Sequence, residues 1–317
     1  MKVSVASFLT MVMFLFVYTK TMFPQGKTNI KKDSHKIENS KTNIKKFNHK
    51  TENSILLDLK HDDKVVSNNV RKVCPSGSRE PSLQKDAINN LFHRLTTLEK
   101  FKEYTPVIQH NDPWVVTFDD FLTDEECDMV IEMSKGHFSA SGLAGAIGTN
   151  LNYRRSESFS CDHNNGCLYR DAIKPIIKKM HELTNIDMRH SEDLTITHYN
   201  VGGFYGRHHD YILEQTNPRN WKNCGPRTFT FLVYLNDVEE GGETKFFHLD
   251  LKSKSISVKP KRGRAIFWPN TFNDAPFEKD ERTAHEALKV LKGEKYILQT
   301  WFYMFDYAAN MGNHCCN

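Results

Sequence analysis

LTITHYNVGGFYGRHHD, from Leu194 to Asp210, opens the part of the chain that sets its fold class. LTITHYN is a short run rich in β-branched and aromatic residues. Runs of the same texture follow at RTFTFLVYLND, SISV, RAIFW and YILQTWFYM, separated by Gly, Pro and Asn. Short strands punctuated in this way read as an antiparallel barrel or jelly roll, here preceded by helices, so the expected class is α+β. Gly241-Gly242 and Lys261-Arg262-Gly263 are the expected turns.

The same stretch carries chemistry. His208 and Asp210 are two residues apart, and on a strand such residues share a face, so both can grip one ion. A facial triad of the non-haem iron(II) type needs one more histidine from a distant strand, and His285, in ERTAHEAL, is suitably placed. His209 points the other way on a regular strand. The chain has 15 histidines, so an isolated His-x-Asp is also what chance produces. Lys295 adds weight: it lies ten residues after His285 at the start of an apolar run, where a core-facing ammonium needs a carboxylate. A dicarboxylic co-substrate would supply one.

Upstream, Leu83, Ala87, Ile88, Leu91, Leu95, Leu98 and Phe101 fall on one stripe of a helix expected after Ser82. Thr123 and Glu126 have the spacing of a capping box opening a second helix. A third is expected from Tyr169 to Leu183. At the N-terminus, Val3–Tyr18 is an apolar run after Lys2, intermediate between a signal-peptide core of roughly 7–15 residues and a spanning helix of roughly 17–25. It reads as a signal or a membrane anchor. KTNIKKDSHKIENS (27–40) then recurs as KTNIKKFNHKTENS (41–54), and its scarcity of apolar residues marks a disordered spacer. The expected organisation is therefore a leader or anchor over 1–20, a Lys/Asn-rich spacer over 21–80, a helical lead-in over 81–112, the catalytic domain over 113–308 and a tail over 309–317.

Lys20–Lys72 holds 13 Lys+Arg against 6 Asp+Glu, which exceeds the net charge of +4 for all 317 residues. The excess positive charge thus belongs to the tail and does not indicate nucleic-acid binding. Seven cysteines in such a length exclude a small disulfide-stapled scaffold, and no pair of C-x-x-C motifs suggests zinc. Cys161 and Cys167 bracket DHNNG and are spaced to close a small loop in an oxidising compartment, whereas Cys127 reads as a buried hydrophobe.

From Trp114 to Phe305 the chain resembles the catalytic domain of the prolyl 4-hydroxylase family of Fe(II)/2-oxoglutarate dioxygenases, a double-stranded β-helix, or jelly roll. The resemblance rests on DDFLTDEECDMVIE, LTITHYNVGGFYGRHHD, RTFTFLVYLNDVEEGGETKFF, KRGRAIFWPN and HEALKVLKGEKYILQTWF, in that order. It implies His208, Asp210 and His285 as iron ligands and Lys295 as the partner of the distal carboxylate of 2-oxoglutarate. It implies Tyr199 and Thr244 as further contacts to that co-substrate. Arg227 and Tyr205 match positions that bind or orient the peptide proline, and Arg154 and Ser156 resemble the start of a loop that closes over substrate. The implied activity is hydroxylation of peptidyl proline in the endoplasmic reticulum lumen or membrane, using iron(II), 2-oxoglutarate, dioxygen and L-ascorbate and releasing succinate and CO2. A dioxygenase of another substrate and a catalytically silent jelly-roll binding module are the alternatives. Only residues 1–113 precede Trp114, much of them spacer, so the disulfide-isomerase partner of collagen-type subunits is not expected. Leu288 stands where the family often has a cysteine, and Tyr303 where short forms commonly have histidine.

Overall fold

A computed structural model describes residues 79–142, 150–249 and 255–312. The run Val3–Tyr18, the tandem repeat, Cys74, Cys315 and Cys316 lie outside the described residues. Among the described residues no helix is long and apolar enough to cross a membrane.

In chain order the strands are β1 (Pro106–Asn111), β2 (Trp114–Phe118), β3 (Ser139–Ala140), β4 (Arg154–Arg155), β5 (Glu157–Cys161), β6 (Leu194–Tyr199), β7 (Phe204–His208) and β8 (Arg227–Tyr234). They continue as β9 (Glu240–Gly241), β10 (Thr244–Phe246), β11 (Ile256–Val258), β12 (Ala265–Pro269), β13 (His285–Ala287), β14 (Val290–Lys292) and β15 (Lys295–Tyr303). Eight form a large sheet in the order β1-β2-β12-β8-β15-β6-β5-β3, five form a small sheet in the order β11-β10-β13-β7-β4, and β14 pairs with β9. All the pairings within both sheets are antiparallel, as the short β-rich runs led one to expect.

The two-residue period of the strands sorts side chains between two cores. Phe229, Phe231 and Val233 of β8, with Leu298 and Phe302 of β15, join Phe92, Val130 and Met180 from the helices α1 (Ala87–Thr97), α2 (Asp124–Ser134) and α3 (Lys174–Thr184). Their neighbours Leu232, Tyr234 and Ile297 turn the other way and meet Phe246, Val258 and Ala287 of the small sheet. Tyr199, Leu232, Trp268, Ala287 and Ile297 of this second core also line the cavity between the sheets.

The capping box forms, with the Thr123 N–H donating to Glu126 at 2.9 Å and the Glu126 N–H donating to Thr123 Oγ1 at 3.2 Å. The first helix differs from expectation. It begins at Ala87, because Asp86 has a left-handed backbone (φ 63°), and it ends before Leu98, which is 42% exposed. The lead-in is not wholly helical either, since Pro106–Asn111 is a strand hydrogen-bonded to β2. The third helix starts at Lys174 rather than Tyr169, after a separate 3-10 turn over Cys167–Tyr169. Residues 307–312 form a helix that overlaps the expected tail. Gly263 turns the chain into β12 with φ 77°, and a Cβ there would stand 2.3 Å from the Leu122 carbonyl oxygen, which excludes any larger residue. Cys161 and Cys167 are disulfide-bonded, Cys224 is disulfide-bonded as well, and Cys127 is free and buried.

Candidate metal and co-substrate site

His208 ends β7 and His285 begins β13, and the antiparallel register sets them directly opposite each other. Their rings are 4.3 Å apart between centroids. Asp210 lies just beyond the end of β7, not within it, so strand alternation alone does not place its carboxylate. It nevertheless turns back, with Oδ1 3.7 Å from His208 Nε2 and Oδ2 3.6 Å from His285 Nε2. One nitrogen or oxygen from each of the three lies within 4.8 Å of the others.

The surroundings prepare these groups as ligands. His208 Nδ1 donates to the Gly206 carbonyl at 2.8 Å and His285 Nδ1 to the Thr283 carbonyl at 3.0 Å. Each bond fixes the tautomer that leaves an Nε2 lone pair facing the cluster. Burial, reinforced by neighbouring His285, pushes His208 down to about 3, so it stays neutral. Burial opposes ionisation of Asp210, yet His285, His208, Arg227 and the Thr230 hydroxyl together hold it below the usual carboxylate range. Thr230, from the large sheet, donates to Asp210 Oδ2 at 2.8 Å and is itself bonded by Asn270 Nδ2 at 3.0 Å. Two imidazoles and an oriented carboxylate converging from one side fit an iron(II) ion that keeps its other positions open. His209 points elsewhere, its Nε2 2.8 Å from Glu281.

The cluster opens into a cavity of about 390 Å³ between the sheets, lined also by Lys295, Tyr199, Thr244, Tyr205, Arg227 and Arg154. Lys295 is 1% exposed, and its Nζ donates to the Gly242 carbonyl at 2.7 Å. Among the described residues no carboxylate is hydrogen-bonded to it, and burial lowers the ammonium to about 7. Tyr199 is its cross-strand neighbour, and the Tyr234 hydroxyl lies 2.7 Å from Thr244 Oγ1. Tyr205 stacks on His208 at 3.6 Å between centroids, with the Arg154 guanidinium 4.5 Å from the Tyr205 ring centre. Arg154 also donates to Ser156 at 2.9 Å. Arg227 donates through Nε and Nη2 to the two Glu192 oxygens, each at 2.7 Å, and lies 4.0 Å above the Trp301 ring.

Sequence reasoning missed Thr230, Tyr234, Glu192 and Trp268, which all touch this apparatus. The alternation of RTFTFLVY was a usable signal for Thr230 and Tyr234, which fall on the face opposite Phe229 and Phe231. Glu192 had none, because it precedes β6 and meets Arg227 only through the fold.

The 2OG-Fe(II) oxygenase superfamily model matches residues 194–303, which span both histidines and Lys295. Probable prolyl 4-hydroxylase 10 of Arabidopsis thaliana is 33% identical over 215 residues, covering 62% of this chain and 71% of the plant protein. This chain belongs to the prolyl 4-hydroxylase family. Like its family, it is a 2-oxoglutarate-dependent dioxygenase, a class that uses iron(II), 2-oxoglutarate and dioxygen. Prolyl 4-hydroxylase subunit alpha-3 of Homo sapiens is 29% identical over 203 residues, covering 62% of this chain and 35% of the human protein. Among solved structures, the viral collagen prolyl hydroxylase of Paramecium Bursaria Chlorella virus-1 is 28% identical, with a TM-score of 0.46, covering 60% of this chain and 96% of the viral one.

Proposed function

We propose that this prolyl 4-hydroxylase family member hydroxylates peptidyl proline at C4 in the secretory pathway, converting 2-oxoglutarate and dioxygen to succinate and CO2 as one oxygen atom enters the substrate C–H bond. The observation that carries the reading is the pairing of the His208–Asp210–His285 cluster with a buried Lys295 in one cavity. His208, Asp210 and His285 hold iron, which when bound supplies the redox chemistry. Lys295 pairs with the distal carboxylate of 2-oxoglutarate, and Tyr199 and Thr244 offer hydroxyls to the same group. Charge neutralisation of the buried Lys295 makes this pairing strong, since a buried ammonium without a carboxylate is costly. Tyr205 and Arg227 bound the space for the proline. Arg154 and Ser156 tie the segment before β5 to the wall of the cavity and limit water access. L-ascorbate serves as the auxiliary reductant.

The relatives' names support proline as the target. The Cys161–Cys167 disulfide and the apolar run Val3–Tyr18 support an oxidising compartment, endoplasmic reticulum lumen or membrane. The test supplies the chain with Fe(II), 2-oxoglutarate and ascorbate against collagen-like, polyproline and mixed peptides, following succinate and single-oxygen mass gain with His208→Ala as control. Coupled succinate and hydroxyproline, both lost in the control, is the expected result. Succinate without proline oxidation would transfer the reading to another substrate, and silence in both channels with iron bound would favour a binding module.

A further inference from the structure

Asp280 is 1% exposed and has no role in the site described above, although it precedes His285 by only a short turn. A buried carboxylate needs partners. Arg282 supplies them: its Nε and Nη2 donate to Oδ1 and Oδ2 at 2.8 and 2.7 Å, and its backbone N–H donates to Oδ1 at 3.0 Å. The last of these bonds caps the 3-10 turn Glu281–Thr283. The Asp280 carbonyl holds the far end of that turn, accepting the Thr283 N–H at 3.2 Å and the Thr283 hydroxyl at 2.9 Å. The carbonyl of the same Thr283 accepts from His285 Nδ1 at 3.0 Å. Asp280 thus clasps the residue that orients the imidazole.

The other side of Asp280 leads to the carboxylate ligand. Its N–H donates to the Asn270 carbonyl at 3.0 Å. Asn270 is 1% exposed, directly follows β12, and gives its Nδ2 to Thr230 Oγ1 at 3.0 Å, the hydroxyl that donates to Asp210 Oδ2. Residues 271–279 leave this path as an excursion, closed at its neck by the bridge between Thr271 and Lys279. The link matters because of where the groups stand. His208 and His285 belong to the small sheet, whereas Thr230, which aims Asp210, belongs to the large one, and no strand of one sheet pairs with a strand of the other. Strand register therefore sets the two histidines against each other but does not set His285 against the support of the carboxylate. The bond from Asp280 to Asn270 crosses that gap.

We propose that Asp280 is a positioning residue for the metal centre: with Asn270 it forms a strut that ties the aim of His285 to the aim of the Asp210 carboxylate. The inference rests on the metal-site reading and deepens it, adding a residue that acts only through the ligands.

The test titrates the full-length, metal-free protein with Co(II) alone. Binding is followed by quenching of tryptophan fluorescence, since the Trp268 ring lies 5.0 Å from that of His285, and by the visible bands that report the ligand geometry of the ion. Asp280→Ala removes the clasp and should lower Co(II) affinity about 10–100-fold, the range for loss of a ligand-orienting partner, with altered visible bands. Asp280→Asn keeps an oxygen for the Arg282 N–H and should bind within about threefold of the parent, although it too loses the ion pair and melts lower. A merely structural role would instead make affinity follow melting temperature across both variants, and that result would overturn the proposal. Thr230→Val probes the second arm. In one connected strut, the double variant with Asp280→Ala should lose less affinity than the product of the two single losses. Losses that multiply in full would also overturn the proposal, because the arms would then act independently. Unchanged affinity in Asp280→Ala would remove the strut and leave the metal centre standing, whereas a parent that does not bind Co(II) would remove both.

Discussion

Replacing Lys295 with methionine should make the metal-free protein more stable while abolishing its response to 2-oxoglutarate. Burial lowers the ammonium to about 7, against an ordinary lysine value of about 10.4. At about 1.36 kcal/mol per pH unit, holding the charged form in this place costs on the order of 4–5 kcal/mol. Between those two values the unfolded chain carries a proton that the folded chain lacks. Unfolding therefore takes up a proton, and the stability contributed by this residue rises with pH from about 7 to about 10.4 and is lost as pH falls through that window. Lys295→Met removes this dependence. The variant should be about 2–4 kcal/mol more stable than the parent near pH 7, and the advantage should vanish towards pH 10. Urea denaturation of metal-free proteins at pH 7, 8.5 and 10 measures both quantities. A dicarboxylate at 1,000 times its Kd should cancel or reverse the order at pH 7, since it stabilises the parent by about 4.1 kcal/mol and the variant not at all. A variant less stable than the parent at pH 7, or one with the parent's pH slope, would refute the account of Lys295 as a buried cation awaiting its partner.

Two further changes probe the surrounding scaffold. Glu192→Ala leaves the buried Arg227 guanidinium without its bidentate partner and should cost about 3–5 kcal/mol, seen as a melting temperature lower by roughly 10 °C. Thr230→Val keeps the shape but removes the hydrogen bond to Asp210 Oδ2, and metal titration should show affinity falling about 10–100-fold with the fold retained.

The legible parts of this molecule were those set by local order. The capping box at Thr123 needed only a spacing of three residues, and the alternation in RTFTFLVY needed only the strand period. His208 and Lys295 were legible because a histidine pair and a lysine are out of place in apolar strands. The start of the first helix was not, because the left-handed turn at Asp86 is held by Asn273, whose carbonyl accepts the Asp86 N–H at 2.7 Å from 187 residues away. Asp210 was chosen on strand alternation, although the strand stops at His208 and the carboxylate is aimed by Thr230 of the other sheet.

By itself, then, the sequence determined the main strands from Leu194 onward, which face of the longer ones is apolar, and which residue types are available to bind a metal and a dicarboxylate. These follow from side-chain period and desolvation, which act over a few residues. The tertiary structure alone decided the rest. The register that sets His285 against His208 depends on strands distant in sequence. Arg227 reaches the cavity only because the β8–β15 pairing slips by one residue between Phe302 and Tyr303. One added residue shifts a side chain to the opposite face of a sheet, and no local pattern records where the partner strand will take up the slack.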